Sequence, residues 1–127
     1  MPDFETTHRA VVMIVEDDLL IRMGAMDMIR SGGFEVIEAK DADEAIEILE
    51  RRLDIRVVFT DIHMPGSMDG LKLAAAVRDR WPPIKIVATS GRAKLGADDL
   101  PSGSRFLMKP YSAREIVATL RELTGVS

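Results

Sequence analysis

Five positions of this 127-residue chain carry side chains that could do chemistry together: Glu16 and Asp17, then Asp61, Thr89 and Lys109. Each stands at the end of a short run rich in Val, Ile or Phe. Residues 10–15 lead into Glu16-Asp17-Asp18, Val57-Val58-Phe59-Thr60 into Asp61, residues 84–88 into Thr89-Ser90-Gly91, and Phe106-Leu107-Met108 into Lys109-Pro110. Three carboxylates brought together repel and raise one another's pKa unless a cation sits among them. A hard divalent cation resolves this: Mg²⁺ takes oxygen ligands, typically one or two carboxylates with phosphate oxygens and water. Its charge would hold Asp61 ionised. An aspartate carboxylate can attack phosphorus and form an aspartyl phosphate. That transfer needs in-line positioning and cancellation of charge on the equatorial oxygens, which Lys109 and the Thr89 hydroxyl would share with the cation. Taken singly, each residue has a plainer role. Acids after strands cap helices or form turns, a threonine serves as an N-cap, and a lysine is an ordinary solvated charge.

The surrounding elements must bring these positions together. The runs at 10–15 and 57–60 are continuous and apolar, as in strands buried on both faces, and should be central. Residues 34–39 alternate more, as an edge strand would. Between the strands, Ile21, Ala25, Met28 and Ile29 recur at helical spacing, as do Ala42, Ala45, Ile46 and Leu49, then Leu71, Ala74, Ala75 and Val77, and finally Ile116, Leu120 and Leu123. Asp41 with Glu44, and Ser112 with Glu115, give capping-box starts. Alternating strands and helices argue a parallel sheet covered on both faces. Ligands of such sheets bind outside the carboxyl edge of the strands, where all five positions fall. The chain is 46% hydrophobic and 30% charged with a net charge of −4 and no cysteine, which excludes disulfide and thiol chemistry and gives no basic footprint for nucleic acid. No apolar run is long enough to span a bilayer. Most of the eight methionines fall at core-like positions.

The motifs Val15-Glu16-Asp17, Asp61-Ile62-His63-Met64-Pro65 followed by Met68-Asp69-Gly70, Thr89-Ser90-Gly91 and Lys109-Pro110, in this order and spacing, resemble a bacterial response-regulator receiver domain. The resemblance spans about residues 10–123. It implies a flavodoxin-like, doubly wound five-stranded parallel sheet of order 2-1-3-4-5 with helices on both faces. Asp61 would be the phosphoacceptor, Asp17 a direct Mg²⁺ ligand (Mn²⁺ a possible substitute), Glu16 a ligand through water, and the His63 backbone carbonyl the last protein ligand. Thr89 would be the switch hydroxyl and Lys109 the phosphoryl ion-pair partner. Phe106 would follow the threonine inward, His63 would tune dephosphorylation, and the Lys109–Pro110 bond would be cis.

The implied architecture is a polar arm over 1–9 and a receiver domain over 10–124, with no output domain. The protein would be cytoplasmic and a monomer or weak dimer. A sensor histidine kinase or histidine phosphotransfer protein would supply the phosphoryl group, and a downstream protein would read the result, without direct contact to nucleic acid or membrane. It would be a phosphoacceptor rather than an enzyme, catalysing only its own phosphorylation and dephosphorylation. Residues 62–70 run one position longer than the usual loop. Residues 92–104, broken by Gly96, Pro101 and Gly103, lack the pattern of a fourth helix, which should be short or irregular. The alternatives are a phosphorylation-independent pseudo-receiver, an aspartate-nucleophile phosphatase, which would want a second aspartate where His63 stands, and a flavodoxin-type cofactor carrier, for which no phosphate loop is present.

Overall fold

The computed structural model describes residues 9–64, 68–91 and 97–125. Its elements are β1 (Val11–Val15), α1 (Leu19–Ser31), β2 (Glu35–Ala39), α2 (Ala42–Arg51), β3 (Ile55–Asp61), α3 (Gly70–Arg80), β4 (Lys85–Ser90), a 3-10 turn (Ala97–Asp99), β5 (Arg105–Met108) and α4 (Ala113–Thr124). The strands form one sheet in the order β2-β1-β3-β4-β5, with every pairing parallel. This is the expected topology. β1 and β3 lie inside it with nearly every residue buried, and β2 is an edge with Glu35 and Glu38 exposed, Val36 and Ile37 half-buried and only Ala39 buried.

Period-2 side chains send the core to both faces of the sheet. One face packs Met13, Val15, Val58 and Ile86 under α2 and α3, through Ala45, Leu49, Leu73 and Val77. The other packs Val12, Ile14, Phe59 and Val87 under α1 and α4, through Ala25, Ile29, Ile116 and Leu120. Asp18, Asp41, Asp69 and Ser112 cap the four helices; Ser112 and Glu115 form the full reciprocal capping box. The Asp41 start differs from expectation in one respect: Glu44 Oε1 accepts from the Lys40 N–H rather than from Asp41.

Two helix faces are rotated from the sequence reading. In α3 the buried residues are Gly70, Leu73, Ala74 and Val77, while Ala75 is exposed and Leu71 half-buried. In α1 Ile21 faces outward and Met26 inward. Of the methionines, Met13, Met26 and Met64 are buried, but Met23 and Met108 are 54% and 43% exposed, so core filling accounts for only part of them. Between β4 and β5 the described residues hold a single 3-10 turn, in keeping with the expected irregular segment. The arm to residue 8, the loop residues 65–67 and residues 92–96 lie outside the described residues.

Candidate functional site

Because all five strands run the same way, their C-terminal ends share one edge. Asp61 is the last residue of β3, and Thr89 pairs with it in the ladder, one position before β4 ends. Thr89 is therefore a strand residue, and β4 runs two positions beyond the apolar run 84–88 that leads into it. Backbone bonds carry the ladder past the strands: Ile62 N–H donates to Thr89 O (2.9 Å) and Lys109 N–H to Ser90 O (2.8 Å). The Lys109–Pro110 peptide is cis, as expected.

Lys109 bridges two acids. Its Nζ donates to Asp61 Oδ2 and to Glu16 Oε1, each at 2.8 Å. The His63 backbone N–H donates to Asp61 Oδ1 at 3.1 Å, and the Asp18 N–H to Glu16 Oε2 at 3.1 Å. Glu16 and Asp61 are buried, as are Thr89 and Ser90, whereas Asp17 is exposed. Carboxylate oxygens of Glu16, Asp17 and Asp61 all lie within 4.8 Å of one another. Three carboxylates against one ammonium leave two negative charges, and the donors are all hard oxygens. The residues thus fit a divalent cation of the Mg²⁺ kind.

Burial sets much of the electrostatics. It pushes Glu16 above the usual carboxylate range, against the hydrogen bonds from Lys109 and the Asp18 N–H; repulsion from Asp61 is the smallest contribution. Desolvation alone would lower Lys109, but the hydrogen bonds to Asp61 and Glu16 outweigh it and hold the ammonium above its ordinary value. Behind the lysine, burial pushes the Tyr111 phenol up to about 12, and its ring meets Phe59 edge-on with centroids 5.6 Å apart. Tyr111 was not among the expected site residues; its only sequence signal is its place one residue after Lys109-Pro110.

At Gly70, the last residue of the Met68-Asp69-Gly70 motif, the structure leaves no room for a side chain. A Cβ there would lie 2.0 Å from the Asp61 carbonyl oxygen and 2.7 Å from Ile62 Cα. The Gly70 N–H donates to Ile62 O at 2.9 Å, so α3 starts directly on the backbone that carries Asp61. The Thr60 hydroxyl donates to the Asp61 carbonyl at 3.0 Å. His63 is half-buried, and its Nε2 is buried without a hydrogen-bond partner among the described residues. Phe106 pairs with Ala88 on β5, next to Thr89, and is half-buried.

Beside the cluster, α1 exposes Leu19, Leu20, Ile21 and Met23, with Leu20 80% exposed. A groove of about 440 Å³ runs from Leu20, Ile21 and Met28 to Lys109, Pro110 and Tyr111. Among the described residues, no helix is long and apolar enough to cross a membrane.

A profile of the response regulator receiver domain matches residues 12–121. The chain is 36% identical over 118 residues to the sensor kinase CckA of Brucella abortus, covering 90% of this chain and 12% of that protein. It is 32% identical over 111 residues to the response regulator protein FleR of Pseudomonas aeruginosa, covering 85% of this chain and 23% of that one. The chain thus spans less than a quarter of either relative. A crystal structure of a response regulator receiver protein from Sinorhizobium medicae superposes with a TM-score of 0.86 at 25% identity, covering 93% of this chain and 96% of that one.

Proposed function

The chain belongs to the response regulator receiver domain family, and from that premise we propose that it takes a phosphoryl group from a phosphohistidine onto Asp61 in a Mg²⁺-dependent transfer. Receiver domains are phosphoacceptor modules of two-component signalling. One observation carries the finer reading: a buried aspartate at a strand end, ion-paired to Lys109 and within a cluster of three carboxylates.

In the transfer, an Asp61 carboxylate oxygen attacks phosphorus. The bond from phosphorus to the histidine nitrogen breaks, and that nitrogen keeps the electron pair. Asp17, Asp61 and the His63 carbonyl would hold the Mg²⁺, with Glu16 acting through water, and the bound cation would supply charge neutralisation on the phosphoryl oxygens. Lys109 moves from pairing two carboxylates to pairing the phosphoryl group, a change its single long stem permits. The Thr89 hydroxyl donates to a phosphoryl oxygen, and Phe106, one position before Thr89's ladder partner Leu107, follows inward. That inward step is the conformational signal. The half-buried His63 beside Asp61 restricts the water that later hydrolyses the acyl phosphate. The apolar face of α1 next to the cluster suits docking of a histidine kinase or histidine phosphotransfer protein, and the segment from residue 97 through β5 and α4 suits the downstream protein.

Incubation with acetyl phosphate and Mg²⁺, followed by intact-mass spectrometry, tests the assignment. One added phosphoryl group is expected on the native chain and none on Asp61→Ala. No adduct on the native chain, or an undiminished adduct on the variant, refutes it.

A further inference from the structure

Asp17 is the one exposed member of the carboxylate cluster, and among the described residues no hydrogen bond or ion pair involves its side chain. Its place is fixed through the backbone on either side. Upstream, the Glu16 N–H donates to Ala39 O at 3.1 Å. Downstream, the Asp18 N–H is held by Glu16 Oε2 at 3.1 Å, and Asp18 Oδ1 caps α1 by accepting from the Ile21 N–H at 3.0 Å. The Glu16 carbonyl itself accepts from Arg22 Nη1 at 2.8 Å. Arg22 Nε in turn donates to Glu38 Oε1 at 2.8 Å, and the Arg22 side chain is only 13% exposed.

That carbonyl belongs to the peptide plane whose nitrogen is Asp17's own, because the peptide unit is rigid and planar. A planar guanidinium gripped at two of its nitrogens cannot swivel, so it fixes the direction of the carbonyl it holds. We propose that Arg22 is a positioning residue for the cation site: by clamping the Glu16–Asp17 peptide between α1 and the end of β2, it presents the Asp17 carboxylate toward Asp61. The inference deepens the Mg²⁺ reading of the cluster and rests on it.

Two effects of Arg22 on cation binding oppose each other. Its positive charge lies near the site and by itself repels Mg²⁺, so charge alone makes Arg22→Ala a tighter binder. Loss of the clamp removes the bond that holds the carbonyl of the Glu16–Asp17 peptide, loosens the direction of the Asp17 carboxylate and makes the variant a weaker one. Removing a group that orients a metal ligand typically costs about 10- to 100-fold in affinity, so positioning is expected to win.

The test is Mg²⁺ titration of the unphosphorylated protein by calorimetry, repeated with Mn²⁺ by electron paramagnetic resonance. Arg22→Ala is expected to bind about 10-fold more weakly than wild type. The Mg²⁺ concentration giving half-maximal phosphorylation by acetyl phosphate is expected to rise by about the same factor, with the rate at saturating Mg²⁺ within roughly two-fold of wild type. Glu38→Gln keeps the guanidinium and loosens only its anchor, so it covers the case in which Arg22→Ala folds poorly; a smaller weakening in the same direction is expected. Unchanged or tighter Mg²⁺ binding in Arg22→Ala overturns the inference, as does wild-type binding in Glu38→Gln where Arg22→Ala does not fold. If the wild-type protein itself binds no Mg²⁺, the functional reading fails with it; if wild type binds and the variants match it, the inference fails alone.

Discussion

Replacing Gly70 by alanine tests the claim that α3 is seated on the backbone of Asp61. The added Cβ would meet the Asp61 carbonyl oxygen at 2.0 Å, whereas ordinary contact begins near 3.4 Å, so the start of α3 or the end of β3 must yield by about 1.4 Å. Both partners in the clash are backbone, so no side-chain rotation relieves it. Overpacking of this kind costs about 1–3 kcal/mol. A retreat of that size also breaks the 2.9 Å hydrogen bond from Gly70 to Ile62, for roughly another 1 kcal/mol. The better helix propensity of alanine returns at most about 1 kcal/mol. The net loss is about 2 kcal/mol, which at an m-value near 2 kcal/mol/M lowers the urea midpoint by about 1 M. Displacing Asp61 by even part of that distance slows phosphorylation by acetyl phosphate by about 10-fold or more. Gly24→Ala is the control, since nothing lies within 4 Å of a Cβ there. In mid-helix that change should stabilise by about 0.5–1 kcal/mol. A Gly70→Ala midpoint at or above that of wild type would refute the reasoning.

Two further predictions concern charge. Glu16 is raised above its ordinary value chiefly by burial, so its ionised form disfavours the native state; stability falls as pH rises from about 4.5 through the folded pKa. Glu16→Gln is therefore expected to raise the melting temperature of the cation-free protein at pH 7 while shrinking the further rise on adding Mg²⁺, read by calorimetry; a lower melting temperature would contradict it. Tyr111 is the only tyrosine, so phenolate absorbance near 295 nm reports it alone. A midpoint of about 12 is expected in the folded protein. In denaturant it should fall to about 10. Between those values the native state holds the extra proton, so stability should decline as pH rises, and Tyr111→Phe should flatten that decline.

The strands were the most legible part of the sequence. A parallel sheet covered on both faces needs continuous apolar runs, and Val57-Val58-Phe59 could hardly be anything else. The helix faces were less so, because an apolar stripe is read correctly only where everything apolar goes inward. α1 keeps Leu19, Leu20, Ile21 and Met23 on its surface, which blurred the face defined by Ala25, Met26 and Ile29. The candidate positions Glu16, Asp17, Asp61, Thr89 and Lys109 were legible because each stands at or beside a strand end, a one-dimensional signal. Arg22 and Gly70 were not, because their roles lie in contacts between elements. Arg22 reaches the Glu16 carbonyl and Glu38 on β2, and Gly70 is defined by an oxygen nine positions upstream. No periodicity encodes either.

Lys109, the one cation pairing the acidic cluster among the described residues, hangs from the sheet's weakest support. β5 is four residues long, lies at the edge and has no fully buried residue, whereas β3 is seven residues long and almost wholly buried. Short exposed edges open at far lower free energy than central strands. Their amide hydrogens should accordingly exchange sooner. Each such opening draws the ammonium away from Glu16 and Asp61, which lie 93 and 48 positions earlier in the chain, and leaves two buried acids facing one another. On the role proposed for Asp61, its reactivity is expected to follow the breathing of that margin, and a partner that clamps β5 would tune Asp61 without touching it.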